Sequence, residues 1–188
     1  MQNVLTSTTA RPPGRRAATG FTAIELMVVV SILAILAAMA LPSFRGVIER
    51  YRVARAAEDL TATIYLARAE AIRRGAPVIL RRATPADCSG DVSANGSWSC
   101  GWILFQDGNG NGNQDDGELI QLSPPPVGVT VTRLTAVNQF SINQWGDLAN
   151  WSFGFKATGS DATDSQRALC AAGGGRLNTV KGSTACGA

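Results

Sequence analysis

The sequence predicts an α+β fold, in which a long N-terminal helix packs on an antiparallel β-sheet head. Residues 21–41 are almost wholly apolar, and residues 43–74 carry apolar side chains at helical spacing. The rest of the chain alternates short β-type runs with turns rich in glycine, proline and asparagine. With 188 residues, of which 45% are hydrophobic, the chain can build one domain of ordinary size beside a membrane segment.

The N-terminal segment begins with a basic stretch that contains no acid, residues 1–20, followed by the apolar run 21–41. About 20 apolar residues span the hydrocarbon core of a bilayer, so the run predicts a transmembrane helix. A secretory signal peptide and a plain membrane anchor are the competing interpretations. Glu25 argues against both. A charged side chain costs about 2.5–3.5 kcal/mol at the membrane centre, so its carboxylate calls for a partner.

The run GFTAIEL, at residues 20–26, resembles the cleavage and methylation motif of type IV pilins and type II secretion pseudopilins. The resemblance implies that a prepilin peptidase cuts after Gly20 and methylates Phe21, the new N-terminus. It also implies that Glu25 neutralises the N-terminal amine of a neighbouring subunit during assembly. Ala23 departs from the leucine that is usual in the family, but it keeps the site apolar.

The resemblance also implies a pilin fold with four segments. These are a leader peptide at 1–20, a transmembrane and filament-core helix at 21–42, an amphipathic head helix at 43–75 and a β-rich head at 76–188. Pro42 is expected to bend the helix or to mark its end. The implied location is a single pass through the inner membrane with a periplasmic or extracellular head, and later a pilus or pseudopilus. The implied partners are the prepilin peptidase, the inner-membrane assembly platform and other pilins or pseudopilins.

The segment after Ser43 predicts an amphipathic helix that reaches about Arg74, because Gly75 and Pro77 form a stop signal. Glu70 and Arg74 have the i, i+4 spacing of a supporting ion pair. The apolar stripe is interpreted as packing against a sheet rather than as a partner-binding face. It consists of Val47, Tyr51, Ala54, Ala57, Leu60, Ile64, Ala67 and Ala71.

Six later segments predict β-strands, because β-branched and aromatic residues alternate there between turn signals. They are Pro77–Arg82, Trp102–Gln106, Leu119–Leu122, Val127–Leu134, Phe140–Asn143 and Trp151–Lys156.

The four cysteines, Cys88, Cys100, Cys170 and Cys186, all lie in the second half of the chain. An even number of cysteines in an exported domain favours two disulfides. Three connectivities are open, of which proximity favours Cys88–Cys100 and Cys170–Cys186. A zinc site is the alternative, but the chain has no CxxC spacing and no histidine.

Within the pilin-like group the chain most resembles FimT/GspH-type minor pilins and pseudopilins. The resemblance covers residues 55–75, residues 101–120 and the region around Gly175 and Arg176. It implies either a FimT-like minor pilin, a structural subunit for pilus assembly, or a GspH-like pseudopilin of type II secretion. FimT-like members are implicated in DNA uptake through a GRxR motif.

A weak, salt-dependent DNA-binding site is predicted from this motif and from the basic C-terminal region. Here the motif reads GRLN, so Asn178 replaces the second arginine. The candidate residues are Arg167, Arg176 and Lys181, in a stretch without acids after Asp164. A solvated loop closed by Cys170 and Cys186 is the structural alternative.

A calcium site is a second hypothesis, for the loop at residues 107–118, which fits D-x-[DN]-x-[DN]-G-x5-E. Its candidate Ca²⁺ ligands are Asp107, Asn109, Asn111, Asp115 and Glu118. The flanking segments are predicted strands rather than helices. The same composition is also typical of a hairpin turn, because Asn, Asp and Gly tolerate positive φ.

The charge is unevenly distributed along the chain. Three of the 17 basic residues, Arg11, Arg15 and Arg16, lie in the predicted leader, which leaves 14 basic residues against 14 acidic ones. Nine arginines and four acids lie between residues 45 and 82, whereas nine acids and five bases follow residue 86. An enzyme is not predicted, because the chain has no histidine and its cysteines are expected to be oxidised.

Overall fold

The structure is a computed structural model that describes residues 20–84, 96–135, 137–172 and 174–187. The chain divides into two compact units, Met1–Pro42 and Ser43–Ala188. A helix, α1, is assigned over Ala23–Arg74. Within the described residues, no single helix meets the length and hydropathy of a membrane span. The helical segments Ala23–Met39 and Phe44–Arg74 meet them only when taken together.

The second unit, the head, contains the C-terminal part of α1 and eight antiparallel strands. In chain order the strands are β1 (Val78–Arg82), β2 (Trp102–Phe105), β3 (Leu119–Ser123), β4 (Val129–Arg133), β5 (Gln139–Ile142), β6 (Trp151–Ala157), β7 (Arg167–Ala172) and β8 (Arg176–Lys181). They form two four-stranded sheets, with the orders β3-β2-β1-β5 and β4-β6-β7-β8. The predicted α+β fold class is confirmed, and the head holds two sheets rather than one.

All six predicted strands are present, each within two residues of its predicted ends. Strands β7 and β8 were not predicted. The region that contains Arg176 and Lys181 is therefore a strand of a β-hairpin, and the interpretation of a solvated loop is wrong there. The helix ends at Arg74 as expected. Gly75 has a φ of 62°, and its N–H donates to the carbonyl of Ile72, as at a glycine helix end.

The head has one hydrophobic core, shared by α1 and both sheets. The helix contributes a stripe that begins at Val53 and continues through Leu60, Ile64 and Ala71, all completely buried. Val47 and Tyr51 of the predicted stripe are 50% and 64% exposed, so this part of the prediction is wrong. Alternate strand residues complete the core, because successive side chains of a strand point to opposite faces. They include Leu80, Trp102, Leu104, Val131, Ile142, Phe153, Phe155 and Leu169.

An aromatic cluster lies where the two sheets meet, at β5 and β6. Trp98 contacts Phe153 edge-on at 4.9 Å between ring centroids, and Phe140 lies 5.3 Å from Trp151. The guanidinium of Arg133 lies 4.9 Å from the Phe140 ring. Burial lowers the pKa of Arg133, because the charged form loses hydration there. The cluster joins an edge strand of the first sheet to a central strand of the second.

Candidate functional site

The N-terminus of α1 is closed by a side-chain cap. Thr22 directly precedes the helix, and its Oγ1 accepts a hydrogen bond of 3.3 Å from the backbone N–H of Glu25. The run Thr22-x-x-Glu25 thus has the spacing of a capping box. A carboxylate in the first turn is also favoured by the partial positive charge of a helix N-terminus. This cap was missed at the sequence level, although the T-x-x-E spacing was available as its signal.

The described residues around the predicted processing site are all exposed. Gly20 has open space around the position of an added Cβ, and Phe21 is 81% exposed. Every side chain from Phe21 to Met39 is exposed, although the segment is apolar except for Thr22, Glu25 and Ser31. Residues 1–19 of the predicted leader lie outside the described residues. The geometry brings Phe21 and Glu25 to the same helix end, with a long apolar surface beyond them.

The predicted calcium loop is closed by its own hydrogen bonds. Asp107 Oδ1 accepts from the N–H of Gly110 at 2.7 Å, and Asp107 Oδ2 accepts from the N–H of Gly112 at 2.8 Å. Glu118 Oε1 accepts from the N–H of Gly108 at 2.8 Å. The loop joins β2 to β3, so it is a hairpin connection, as the structural alternative predicts.

The proposed calcium ligands Asn109 and Asn111 both donate their amides to Asp115 Oδ2, at 2.7 Å each. Their amide nitrogens therefore point at the carboxylate that would have to face a cation. In the part of the chain that the structure describes, no group of three or more His, Cys, Asp or Glu side chains is arranged to hold a metal. Calcium binding by this loop stays a prediction.

The candidate DNA-binding residues lie on the β7–β8 hairpin but do not form one cluster. Arg167 and Lys181 are directly opposite each other across the two strands. With Glu58 of α1 they line an open cavity of about 310 Å³. Arg176 lies five residues before Lys181, so it is about 17 Å away along the strand and on the opposite face. Glu58, the acid beside the Arg167–Lys181 pair, lies on α1 and is distant from both residues in the sequence.

The disulfide between Cys170 and Cys186 joins β7 to the C-terminal segment, with a Cα–Cα distance of 5.9 Å. This is one of the two bridges proposed from proximity. The segment it fixes lies across β6, because a Cβ on Gly154 would come within 2.6 Å of the Thr184 carbonyl oxygen. Cys100 is also disulfide-bonded, whereas Cys88 lies outside the described residues. The three described cysteines are therefore in disulfides, which contradicts the zinc alternative for them.

A capped apolar N-terminal helix with an acidic first turn, followed by a disulfide-bonded β head, defines a pilin-like protein. The chain belongs to the family described as type II transport protein GspH, whose family model matches residues 56–183. Residues 15–41 match the prokaryotic N-terminal methylation motif. The predicted resemblance is therefore confirmed at both ends of the chain.

The matching curated relatives carry a fimbrial description. Two proteins described as fimbrial protein, from Pseudomonas aeruginosa, are each 40% identical over 77 residues, which is 41% of this chain and 49% of each relative. The match thus spans about half the length of these curated relatives.

The solved structures share the fold. The type IV minor pilin FimU of Pseudomonas aeruginosa superposes with a TM-score of 0.52 at 20% identity, over 71% of this chain and 92% of FimU. The minor pseudopilin EpsH from the type 2 secretion system of Vibrio cholerae gives a TM-score of 0.51 at 16% identity. This second match covers 69% of this chain and 97% of EpsH.

Proposed function

We propose that this chain is a minor pilin or pseudopilin. It is inserted in the inner membrane by residues 21–42, processed between Gly20 and Phe21, and assembled into a filament by its N-terminal helix. The observation that carries the proposal is the methylation motif over residues 15–41, whose helix presents an exposed, largely apolar surface from Phe21 to Met39. Such a surface needs lipid or neighbouring helices to cover it, because a chain does not keep so long an apolar stretch in water.

The environment of Gly20 supports processing at this point. Among the described residues, which begin at Gly20 itself, an added Cβ would meet no atom within 4 Å, and the φ of Gly20 is not in the left-handed region. Neither packing nor backbone conformation therefore requires a glycine there. A protease that must fit the chain in an extended form would require one, because a small residue lets the backbone approach closely.

Glu25 supports the assembly role on electrostatic grounds. Cleavage after Gly20 would leave an ammonium group on Phe21, two residues before the first residue of α1. A positive charge at the positive end of a helix dipole is unfavourable, so it requires a carboxylate nearby. A buried charge is tolerated when it is paired with an opposite charge. The carboxylate of Glu25 in one subunit and the amine of Phe21 in the next would satisfy each other in the apolar filament core.

Co-expression of the full chain with a prepilin peptidase tests processing. Mass spectrometry is expected to find a chain that begins at methylated Phe21. A Gly20→Asn variant should keep residues 1–20, whereas Gly46→Asn, at another glycine with open surroundings, should be cleaved normally. An intact leader in chains recovered from sheared filaments would exclude the proposal.

The assembly role of Glu25 has its own test. Glu25→Gln keeps the size of the side chain but removes the charge, so processing should continue while incorporation into sheared filaments falls. Glu49→Gln is the matched control on the same helix. Normal incorporation of Glu25→Gln would remove the proposed charge pair.

The chain could serve a type IV pilus or a type II secretion system. We propose a FimT-like role in a type IV pilus, with a GspH-like pseudopilin of type II secretion as the alternative. The fimbrial description of the curated relatives favours the pilus. Deletion of the gene should then abolish surface pili while leaving secreted proteins at their normal level. Loss of secretion with normal pili would favour the pseudopilin instead.

Weak DNA binding is a second candidate function, favoured by the exposure of Arg176 in the β7–β8 hairpin next to Gly175. Arg167 and Lys181 would add less, because Glu58 lies beside them. With one to three phosphate contacts, the logarithm of the affinity should fall with that of the salt concentration with a slope of about −1 to −3. Band shifts of the full chain should weaken more for Arg176→Ala than for Lys181→Ala. Equal affinity of both variants and the wild type would remove this candidate.

A further inference from the structure

The beginning of the head helix carries an apolar surface that is separate from the core. Its four residues recur at i, i+3, i+4 and i+7, which is the spacing of one helix face. They are Phe44, Val47, Ile48 and Tyr51, with exposed fractions of 59%, 50%, 47% and 64%. We call these four residues the outer stripe.

The outer stripe lies on the side of α1 that faces away from the core. Successive residues of an α-helix are turned by about 100°, so Val53, where the core stripe begins, lies about 180° from Phe44. Leu60 and Ile64, which are completely buried, fall within about 20° of Val53 in the same projection. The head therefore leaves the outer stripe uncovered, and any cover comes from outside it.

Arginines adjoin the outer stripe along its length. Residues three or four apart are neighbours on a helix surface, so Ile48 lies between Arg45 and Arg52. Arg50 and Arg55 adjoin the stripe by the same spacing, from Val47 and Tyr51. All four arginines are exposed. The apolar surface is thus bordered by positive charge that the helix itself supplies.

Two of these arginines are available to a further anion. Arg45 and Arg52 form no ion pair with any acid in the described part of the chain. Glu49, the one acid between residues 44 and 55, is half-buried and lies on the side of these arginines away from the stripe. The other two arginines have acid partners. The pairs are Arg50–Asp164 at 2.7 Å and Arg55–Asp59 at 3.9 Å.

The positive border ends at Arg55. Residues 56–67 contain two acids and no basic residue. Tyr65 continues the outer side of the helix there, because it points in the same direction as Val47 about five turns later, and it is 53% exposed. An apolar stripe with an arginine border is therefore a property of residues 44–55, not of the whole outer side of α1.

This combination suits the surface of a lipid bilayer. An apolar face bordered by arginine is typical of a helix that lies in the membrane interface. Aromatic side chains such as Phe44 and Tyr51 are enriched at the level of the headgroups. Arginine keeps its apolar stem on the lipid while its guanidinium reaches the phosphates. Phe44 follows the apolar run 21–41 by three residues, so where that run spans a bilayer this segment begins at the bilayer surface.

We propose that residues 44–55 form an interfacial membrane-binding element, in which the outer stripe lies among lipid headgroups and Arg45 and Arg52 bind the phosphates of anionic lipids. The inference rests on the proposed membrane insertion of residues 21–42. The same helix face of a second copy fits less well, because it would bring the arginines of both copies together. The element would keep the beginning of the head at the membrane surface before assembly.

The test uses the full chain in lipid nanodiscs that contain phosphatidylglycerol, with lipids brominated near the headgroup or near the chain end. Bromine quenches tryptophan only at short range, so the emission added to that of the wild type reports the depth of each new tryptophan. Leu33→Trp, within the apolar run, should be quenched by chain-end bromine. Tyr51→Trp should be quenched by bromine near the headgroup. Tyr65→Trp, the matched control on the same side of the helix, should be quenched by neither.

The headgroup contact is tested in the Tyr51→Trp chain by adding Arg45→Gln and Arg52→Gln. An arginine near an anionic surface contributes about 1 kcal/mol, so each substitution should lower the ratio of surface-bound to detached segment about fivefold. Replacing phosphatidylglycerol by phosphatidylcholine, or raising the salt concentration, should lower the quenching in the same way. Arg73→Gln, which changes another exposed arginine of α1, should leave the quenching unchanged.

The outcomes separate this inference from the proposed function. Absence of quenching in Leu33→Trp would contradict membrane insertion and with it the proposed function. Quenching of Leu33→Trp without quenching of Tyr51→Trp would overturn the interfacial element alone. Quenching of Tyr51→Trp that is independent of lipid charge and of both arginines would overturn the headgroup contact. Loss of that quenching as the number of chains per disc rises from one to two would assign the outer stripe to a second copy instead.

Discussion

Arg68 Nη1 donates a hydrogen bond of 2.7 Å to the carbonyl oxygen of Gly175. Arg68 Nε donates at the same time to the carbonyl oxygen of Gly146, at 2.9 Å. One guanidinium on α1 thus holds two turns, the β5–β6 turn that contains Gly146 and the β7–β8 turn that contains Gly175. The planar fork of arginine suits two acceptors at once, which a lysine could not bind in the same way.

Replacing Arg68 by methionine should destabilise the head, because two carbonyls lose a charged donor while the apolar stem is kept. Hydrogen bonds to charged groups contribute about 1.5–3 kcal/mol each, and a loss of about 2–3 kcal/mol is expected here. Thermal unfolding followed by tryptophan fluorescence measures it. The control is Arg73→Met, which removes an exposed ion pair on the same helix and should change the melting temperature little. Equal destabilisation by both variants would mean that the two carbonyl contacts contribute nothing.

Alanine substitutions at Gly175 and Gly159 test the contact between Arg68 and Gly175 from the side of the glycine. Both have a φ of 76°, so alanine costs about 1–2 kcal/mol of left-handed strain at either position. At Gly159 an added Cβ meets open space, whereas at Gly175 it lies 2.7 Å from Arg68 Nη2. Gly175→Ala should therefore cost about 1 kcal/mol more than Gly159→Ala, because it displaces the guanidinium from its acceptor.

The Arg68→Met background checks the cause of that difference. With the guanidinium absent, Gly175→Ala and Gly159→Ala should destabilise the head equally, which is the coupling that a double-mutant cycle measures. A difference that persists in this background would place its cause in the backbone of the β7–β8 turn instead.

The sequence predicted the elements whose pattern is local. The alternation of VGVTVTRL predicted β4. The stop signal formed by Gly75 and Pro77 predicted that α1 ends at about Arg74, and the helix does end at Arg74. Strand β7 was missed because RALCAA lacks polar alternation. Leu169 and Ala171 are buried on one face, and Ala168 is buried on the other, where Cys170 is bonded to Cys186 of the C-terminal segment. The burial of both faces depends on contacts with segments that are distant in the sequence, so the local pattern of residues could not indicate it.

The candidate sites follow the same rule. The motif around Gly20 and Glu25 is contiguous, so the seven residues GFTAIEL were enough to predict it. Ile72 and Trp145 line one cavity, and Glu58 and Lys181 line another, so neither neighbourhood could be found without the fold. The exposure of Val47 and Tyr51 was missed for a related reason: periodicity shows which face of a helix is apolar, but not where the core that covers it begins.

Thr63 and Trp102 form a buried hydrogen bond, from Trp102 Nε1 to Thr63 Oγ1 at 3.0 Å, with both residues 1% exposed. Thr63→Val keeps the shape but leaves the indole N–H without this acceptor, which should cost about 1–3 kcal/mol. Thr61→Val is the matched control one half-turn earlier. Its hydroxyl donates to the Ala57 carbonyl on the same helix, and its loss should cost about 0.5 kcal/mol or less. Thermal unfolding of the two variants compares them directly, and an equal effect would contradict a special role for the indole contact.

Glu70 gives the head an acid-dependent component of stability. Hydrogen bonds from Arg73 and then from Arg74 lower its pKa from the ordinary 4.5 to about 2. Because the folded pKa lies below the unfolded one, the two ion pairs stabilise the head fully above pH 4.5 and lose this contribution as the pH falls toward 2. The stability difference between wild type and Glu70→Gln should therefore be constant above that range and shrink within it.

The two arginines should contribute unequally to this profile. Arg73 is the larger cause of the lowered pKa, so Arg73→Gln should move the loss of stability to higher pH, closer to 4.5, than Arg74→Gln does. Arg74→Gln should in addition lower stability at every pH, because Arg74 Nη1 also donates to Gln106 Oε1 at 2.7 Å and so ties the end of α1 to the end of β2. Unfolding measured from pH 2 to pH 7 separates the two effects. A profile of Glu70→Gln parallel to that of the wild type over the whole range would show that the cluster does not titrate as described.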